Sequence, residues 1–235
     1  MKSGFFIIYN GKMDREKGIY VRSRPSMPAP KREYEKIKVE GMDGELYEDK
    51  ETYEDIEIDI EFNFLTEPEE WQEQFRTVKR WLYSKTDCRL IMSDDRGYYY
   101  NVKNVEIETA ERVAKRIGKF TAKFICEGYA YKREGRNIEN LGSKLLNKYE
   151  KTYPVYYIYG SGEVEINANG KTVKALVDEK LTIDTKLKLC YNGNKEIENT
   201  AMTGDYESLA LIEGENVFTY TDGFKVMIKP NWRSV

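Results

Sequence analysis

The stretch IEIDIEFNF, residues 56–64, decides the fold of this chain. Isoleucine and phenylalanine occupy every second position, and Glu57, Asp59 and Glu61 stand between them. Side chains alternate between the two faces of a strand, so this period of two puts the apolar set on one face and the carboxylates on the other. The stretch therefore predicts a strand that covers a hydrophobic core with one face and carries an acidic surface on the other.

A helix is predicted directly after this strand. Thr66 and Glu69 have the spacing of a capping box, and Pro68 suits a first helical turn. Apolar residues then recur at helical spacing as far as about Ser84, namely Trp71, Phe75, Val78 and Leu82. The pattern predicts one helix that lies with its apolar stripe against the sheet.

Short strands separated by turn signals fill the rest of the first half, at residues 5–9, 18–21, 37–39, 89–92, 98–102, 105–108 and 118–126. The segment 24–30 interrupts this pattern, because its three prolines cannot donate the hydrogen bonds of a sheet. We predict an extended arm there, and Arg24 and Pro25 are candidate contacts to a partner subunit.

The second half is also predicted to be all β. Strands are expected at 154–159, 163–167, 181–184, 187–190, 209–212, 216–220 and 224–228. Ser161-Gly162 and Asn169-Gly170 are expected turns between them. This spacing favours a sandwich or a jelly roll. The predicted organisation is mainly β with two domains: an N-terminal β-sandwich with one packed α-helix over 1–131, a linker or strap over 132–149, and a C-terminal β-sandwich over 150–235.

Composition argues against an enzyme. The chain has 235 residues and contains no histidine, which removes the commonest general base and the commonest ligand of transition metals. The three cysteines are widely spaced and are expected to be reduced and buried, so neither a metal nor another cofactor is predicted. Carboxylate-only and Ser-Lys chemistry remain open.

Charge and hydropathy narrow the possible partners. The net charge of −3 lacks the basic footprint of an ordinary nucleic-acid binder. No apolar run approaches the roughly 20 residues that span a bilayer, so no membrane partner is expected. The stretch around residues 1–9 lacks the length and the cleavage site of a signal peptide. We therefore expect the protein to be made and initially kept in a cytoplasm.

The acidic run from Glu40 to Glu61 admits several interpretations. It could be a solvated strand face and loop, a paired-carboxylate hydrolase or a calcium site, although its spacing is not that of an EF-hand. Repeated around a ring, such a face would form a negative channel along which a nucleic-acid backbone slides. Asp94-Asp95 could be a carboxylate pair, but a hairpin turn is favoured.

The order of these segments resembles the distal tail protein family of long-tailed, non-contractile phages, which also occurs in prophages of Gram-positive bacteria. In the first half the resemblance is carried by residues 6–12, 18–21, 24–25, 41–44, 78–82, 90–95 and 120–126. In the second half it is carried by residues 160–162, 181–184, 202–206, 214–216 and 230–233. Nearly the whole chain is covered.

The resemblance implies a structural component of the virion, with the N-terminal domain building a ring, typically a homohexamer, and a galectin-like C-terminal β-sandwich facing outward. It also implies that the ring joins the tail tube protein to the tip hub of the baseplate, contacts receptor-binding proteins in many phages, and passes DNA only through its channel. The expected location is the tail tip, after assembly in the host cytoplasm. Glu57, Asp59 and Glu61 are then candidates to line the channel or a subunit interface.

The alternative hypothesis is a glycan-binding module that attaches to the host cell wall. The galectin-like fold does not by itself establish sugar binding, because fold does not determine function. A carboxylate-dependent hydrolase built on Asp94 and Asp95 is the third hypothesis.

Overall fold

The computed structural model describes residues 4–235, so the first three residues of the stretch 1–9 and of the predicted domain 1–131 lie outside that range. The chain forms two compact units, the first ending at Ala130 and the second spanning Tyr131–Ser234. The predicted mainly β fold with one α-helix is confirmed. No helix within the described range is long and apolar enough to cross a membrane.

The first unit contains ten strands and one helix. They are β1 (Ile7–Tyr9), β2 (Lys12–Met13), β3 (Ile19–Val21), β4 (Arg32–Ile37), β5 (Leu46–Tyr53), β6 (Ile56–Leu65), α1 (Trp71–Leu82), β7 (Arg89–Met92), β8 (Tyr98–Ile107), β9 (Glu111–Ala114) and β10 (Ile117–Lys132). The main sheet has the order β2-β1-β7-β8-β10-β6-β3, and β9 pairs with β10. The last two residues of β10 continue into the second unit.

Strand β6 lies inside this sheet and behaves as its sequence predicts. All five apolar residues between Ile56 and Phe64 are buried, while Glu57 and Asp59 are exposed. The ring of Phe62 stacks on Phe120 of the neighbouring strand with centroids 5.3 Å apart. Burial of such aromatic side chains contributes about 1.5–3 kcal/mol each, so β6 is a main source of the stability of this unit.

The predicted capping box is wrong, although the helix itself is confirmed. Helix α1 begins at Trp71, its N-cap residue is Glu70, and no side chain caps it. The backbone N–H of Thr66 donates to the carbonyl of Arg116 (3.0 Å), so Thr66 is held at the sheet. A turn then separates it from the first helical residue, because the N–H of Glu70 donates to the carbonyl of Glu67 (3.1 Å). The helix packs on the sheet through Trp71, which contacts Phe64 with centroids 5.3 Å apart.

Strands β4 and β5 form a separate two-stranded sheet, which we call the hairpin arm, residues 32–53. The sequence pattern predicted only a short strand at 37–39 followed by a turn. The observed strand β4 begins earlier, at Arg32, and β5 lies within the acidic run, where no strand is predicted before residue 56. Glu33 and Tyr53 are half-buried, and the other side chains of the arm are exposed.

The second unit is built from nine further strands. They are β11 (Glu139–Asn140), β12 (Lys144–Asn147), β13 (Val155–Ala168), β14 (Lys171–Asp184), β15 (Leu189–Asn192), β16 (Met202–Thr203), β17 (Gly214–Tyr220), β18 (Lys225–Lys229) and β19 (Arg233–Ser234). Its sheet has the order β11-β18-β13-β14-β15, and β17 pairs with β12 and β13. Within residues 132–149, the predicted linker or strap, β11 pairs with β18 and β12 with β17.

Two expectations for this unit are wrong. The predicted turn at Ser161-Gly162 is absent from the described chain, because β13 runs without interruption and pairs along its whole length with β14. Gly160 is needed for a close approach instead, since a Cβ there would lie 2.4 Å from the Phe224 ring. The predicted strand 209–212 is replaced by a 3₁₀ turn and a single bridge between Leu211 and Thr152. The Asn169-Gly170 turn is confirmed, since it joins β13 to β14.

Candidate assembly surface

The outer face of β6 brings the three predicted carboxylates into one row. Glu57 lies opposite Ile125, Asp59 opposite Lys123, and Glu61 opposite Thr121 on the neighbouring strand β10. Register partners on antiparallel strands point to the same face, so Lys123 stands among the carboxylates. The face is therefore a surface of mixed charge.

Cations neutralise two of these three carboxylates. Lys123 Nζ lies 2.9 Å from Glu57 Oε2, and Arg22 Nη1 lies 2.9 Å from Glu61 Oε2. The hydrogen bond that Lys123 donates to Glu57, aided by the charges of Asp59 and Glu106, raises the pKa of Lys123. Among the described residues Asp59 forms no ion pair. Exposed pairs of this kind contribute little to stability, so their main effect is on the surface potential and its complementarity to a partner.

One end of the same face is apolar. Leu65, the last residue of β6, is 63% exposed and lies opposite Ile117, which is 41% exposed. Tyr20 of β3 lies opposite Asn63 and is also exposed. Isolated exposed apolar residues are ordinary, but a cluster beside a charged row is typical of a protein–protein interface.

The predicted extended arm has no strand between residues 22 and 30. Arg24 Nε lies 3.2 Å from Asp94 Oδ2, and its guanidinium stands 5.7 Å from the centre of the Phe5 ring. Pro25 is half-buried. These contacts hold Arg24 and Pro25 within the first unit and do not place them beside Glu57 or Asp59.

The hairpin arm is the exposed feature that sequence reasoning missed. Its side chains include Tyr34, whose ring meets that of Tyr47 edge to face with centroids 6.2 Å apart. Tyr47 is nevertheless 59% exposed. Two tyrosines and Ile37 flanking the glycine-containing turn at 41–44 are a hairpin signal, but the charged residues between them masked the period of two.

The remaining candidate sites do not assemble a reactive centre. Asp94 is engaged by Arg24, and residues 93–94 lie in a turn as the sequence predicted. Within residues 4–235 no group of three or more Cys, Asp or Glu side chains could hold a metal ion. Burial raises the pKa of the Cys126 thiol to about 12, so it stays protonated and is a poor nucleophile.

Part of the chain matches a known protein family. Residues 18–126, just under half of the chain, match the family described as phage tail protein RIFT-related domain. Over these residues the first unit is similar to a phage tail protein domain. The match runs from the residue before β3 into β10 and includes the hairpin arm, β6 and α1. The RIFT-related domain therefore contains the complete polar face described above.

The fold of the whole chain matches that of a solved phage protein. The Dit protein of phage SPP1, described as a paradigm of the hub adsorption apparatus in phages that infect Gram-positive bacteria, superposes with a TM-score of 0.65. The match covers 99% of each chain at 15% sequence identity. Together with the RIFT-related domain, it confirms the resemblance to distal tail proteins that the sequence predicts. The curated proteins contain no match.

Proposed function

We propose that this phage tail protein is a structural subunit that assembles into a ring, typically a homohexamer, at the tail tip. The ring joins the tail tube to the tip hub and passes DNA through its channel during ejection. The observation that carries the proposal is the match over 99% of both chains to the Dit protein of SPP1, a hub adsorption protein. The exposed polar and apolar surfaces of the RIFT-related domain support a role in assembly.

The protein's oligomeric state tests the ring. Mass photometry across a concentration series should show a defined species of about six copies, and negative-stain images should show a ring with a central opening. The purified protein should also co-purify with the tail tube and hub proteins of the same phage. A chain that remains monomeric at high concentration, and binds neither protein, would contradict the proposal.

The face formed by Glu57, Asp59 and Glu61 is proposed to line the channel or a subunit interface, together with Arg24 and Pro25 of the extended arm. The mixed charge of this face favours an interface over a uniformly negative channel, because paired charges confer specificity more than long-range repulsion. The adjacent apolar residues Leu65 and Ile117 support the same assignment.

A triple variant, Glu57→Gln, Asp59→Asn and Glu61→Gln, distinguishes the two roles. A subunit interface predicts loss of the ring, while a channel lining predicts an intact ring with slower DNA ejection. The matched control is Glu163→Gln, Glu165→Gln and Asp178→Asn, which removes the same number of charges from the second unit. If the triple variant assembles and ejects DNA like the wild type, the face has neither role.

A further inference from the structure

A pocket with three cations lies at the C-terminal end of α1. Its volume is about 310 Å³, and we call it the cationic pocket, defined by Lys12, Lys17 and Arg80. Thr77, Ser84 and Thr86 add hydroxyl groups to its wall. Ammonium, guanidinium and hydroxyl groups donate hydrogen bonds, so the pocket is suited to a carboxylate or another anion.

The scaffold of the pocket is fixed by hydrogen bonds that are buried or partly buried. Asn10 Nδ2 donates to the carbonyls of Trp81 (2.9 Å) and Ser84 (2.7 Å). Trp81 Nε1 donates to the carbonyl of Tyr9 (3.1 Å), and Gln74 Nε2 donates to the carbonyl of Lys17 (2.6 Å). The turn between β1 and β2, the 3₁₀ turn before β3 and the end of α1 are thus held together, and the pocket is preorganised.

The charge of this pocket is not neutralised within the chain. Lys12, Lys17 and Arg80 form no ion pair among residues 4–235. The carboxylate of Glu16, which lies nearby in sequence, accepts a hydrogen bond from the Met13 N–H (2.9 Å). Asp87 is paired with Arg89, which lowers the pKa of its carboxyl. Apart from the partial negative charge at the C-terminus of α1, no described side chain therefore supplies a counter-charge to the three cations.

The tip of the hairpin arm, residues 39–44, carries the complementary groups, and Lys38 stands directly before it. Glu40 and Asp43 are exposed and form no ion pair within the described chain. Val39 and Met42 are exposed beside them, at 39% and 44%, which leaves apolar surface in water on a solvated turn. An acidic tip with apolar side chains fits a contact that both neutralises charge and buries surface.

Two different complementary patches on one chain also suit a ring. A contact between unlike patches is head-to-tail, and it closes into a ring when the rotation between neighbours permits. We propose that the cationic pocket of one copy binds the acidic hairpin tip, through Glu40 and Asp43, of the neighbouring copy. This inference rests on the proposed function, because it specifies a contact between copies within the ring.

Charge reversal tests the contact. Lys12→Glu with Arg80→Glu, and separately Glu40→Lys with Asp43→Lys, should each weaken assembly by about tenfold or more, since like charges in an interface cost several kcal/mol. Combining both reversals in one chain should restore assembly. The control is Lys171→Glu with Lys195→Glu, which changes net charge equally on exposed sites of the second unit. Reversals that leave assembly of a ring-forming wild type unchanged would overturn the contact and leave the ring proposal standing.

Cross-linking tests this contact independently of whether a ring forms. The experiment uses a Cys88→Ser background, because the native Cys88 thiol is partly exposed and lies two residues from Thr86. In that background a chain with Asp43→Cys mixed with a chain with Thr86→Cys should give a disulfide-linked pair under mild oxidation, and either variant alone should not. A cross-link formed by an otherwise monomeric protein would support the contact while contradicting the ring. No cross-link in a protein that assembles would overturn the contact. Duplex DNA binding that requires Lys12 and Arg80, with assembly unaffected by their reversal, would overturn it as well.

Discussion

Strand β6 and the hairpin arm are separated by only Glu54 and Asp55, yet they have opposite relations to the core. Strand β6 pairs with β10 and β3, and its alternate residues are buried in the core below the sheet. The two strands of the arm pair only with each other. Both regions carry many carboxylates. The number of acidic residues therefore does not distinguish β6 from the hairpin arm. The apolar residues at every second position do, because β6 has them and the arm does not.

The comparison separates what folds the unit from what is available to a partner. Strand β6 obtains its stability from burial, and its polar face is incidental to that stability. The arm buries little within the chain, although it is covered by the phage tail protein match. Four variants or pairs of variants test this difference, in order of decreasing effect on stability.

Phe62→Ala should have the largest effect on stability. The side chain is fully buried and stacks on Phe120, so its removal should lower the free energy of unfolding of the first unit by about 3–5 kcal/mol. Urea denaturation followed by tryptophan fluorescence measures this, with Trp232→Phe as background so that only Trp71 and Trp81 report. A loss below about 1 kcal/mol would contradict the conclusion that β6 is a main source of the stability of this unit.

Gly118→Ala should have the next largest effect. A Cβ at Gly118 would lie 2.2 Å from the Phe64 ring, so the ring or the strand must move. Overpacking of this kind costs about 1–3 kcal/mol. Gly97→Ala is the matched control, because a Cβ there meets no atom within 4 Å. Equal denaturation midpoints for the two variants would show that the sheet accommodates the methyl group beside β6.

Two aspartates should respond to pH in opposite directions. Burial raises the pKa of Asp14, so the native state holds its proton more tightly than the unfolded chain. The wild type should lose stability relative to Asp14→Asn as the pH rises from the ordinary carboxyl range through the raised pKa. A side-chain hydrogen bond from Arg32 lowers the pKa of Asp49 in the hairpin arm. Stability from Asp49 is present above the unfolded pKa and is lost as the pH falls through the lowered pKa.

Denaturation midpoints of the wild type, Asp14→Asn and Asp49→Asn over a range of acidic to neutral pH measure both slopes. The Asp49 slope should be the smaller, because its ion pair is solvent-exposed. Parallel curves for the wild type and Asp14→Asn would show that the carboxyl of Asp14 titrates alike in both states.

Tyr47→Ala in the hairpin arm should have the smallest effect on the monomer. Its side chain is 59% exposed and contacts Tyr34 and Lys36 within the arm. The free energy of unfolding should change by no more than about 0.5 kcal/mol. A loss near that of Phe62→Ala would make the arm part of the folding core and would end the contrast with β6.

Local pattern accounts for the elements that sequence reasoning predicted correctly. Residues adjacent in the chain predict strand β6 and the Asn169-Gly170 hairpin. They also predict helix α1, although not its first residue. Two of the errors share one physical origin. Thr66 is held by a hydrogen bond to Arg116, and Gly160 is required by the ring of Phe224, so residues far away in sequence decide both.

The sequence by itself determined the mainly β class, the buried face of β6 and the lack of histidine chemistry. It also placed Glu57, Asp59 and Glu61 on one face, because alternation is a local property of a strand. Only the tertiary structure decided that Lys123 and Arg22 neutralise two of those carboxylates. It alone joined Lys12, Lys17 and Arg80 in one pocket, since three separate elements must fold together before their charges share a surface.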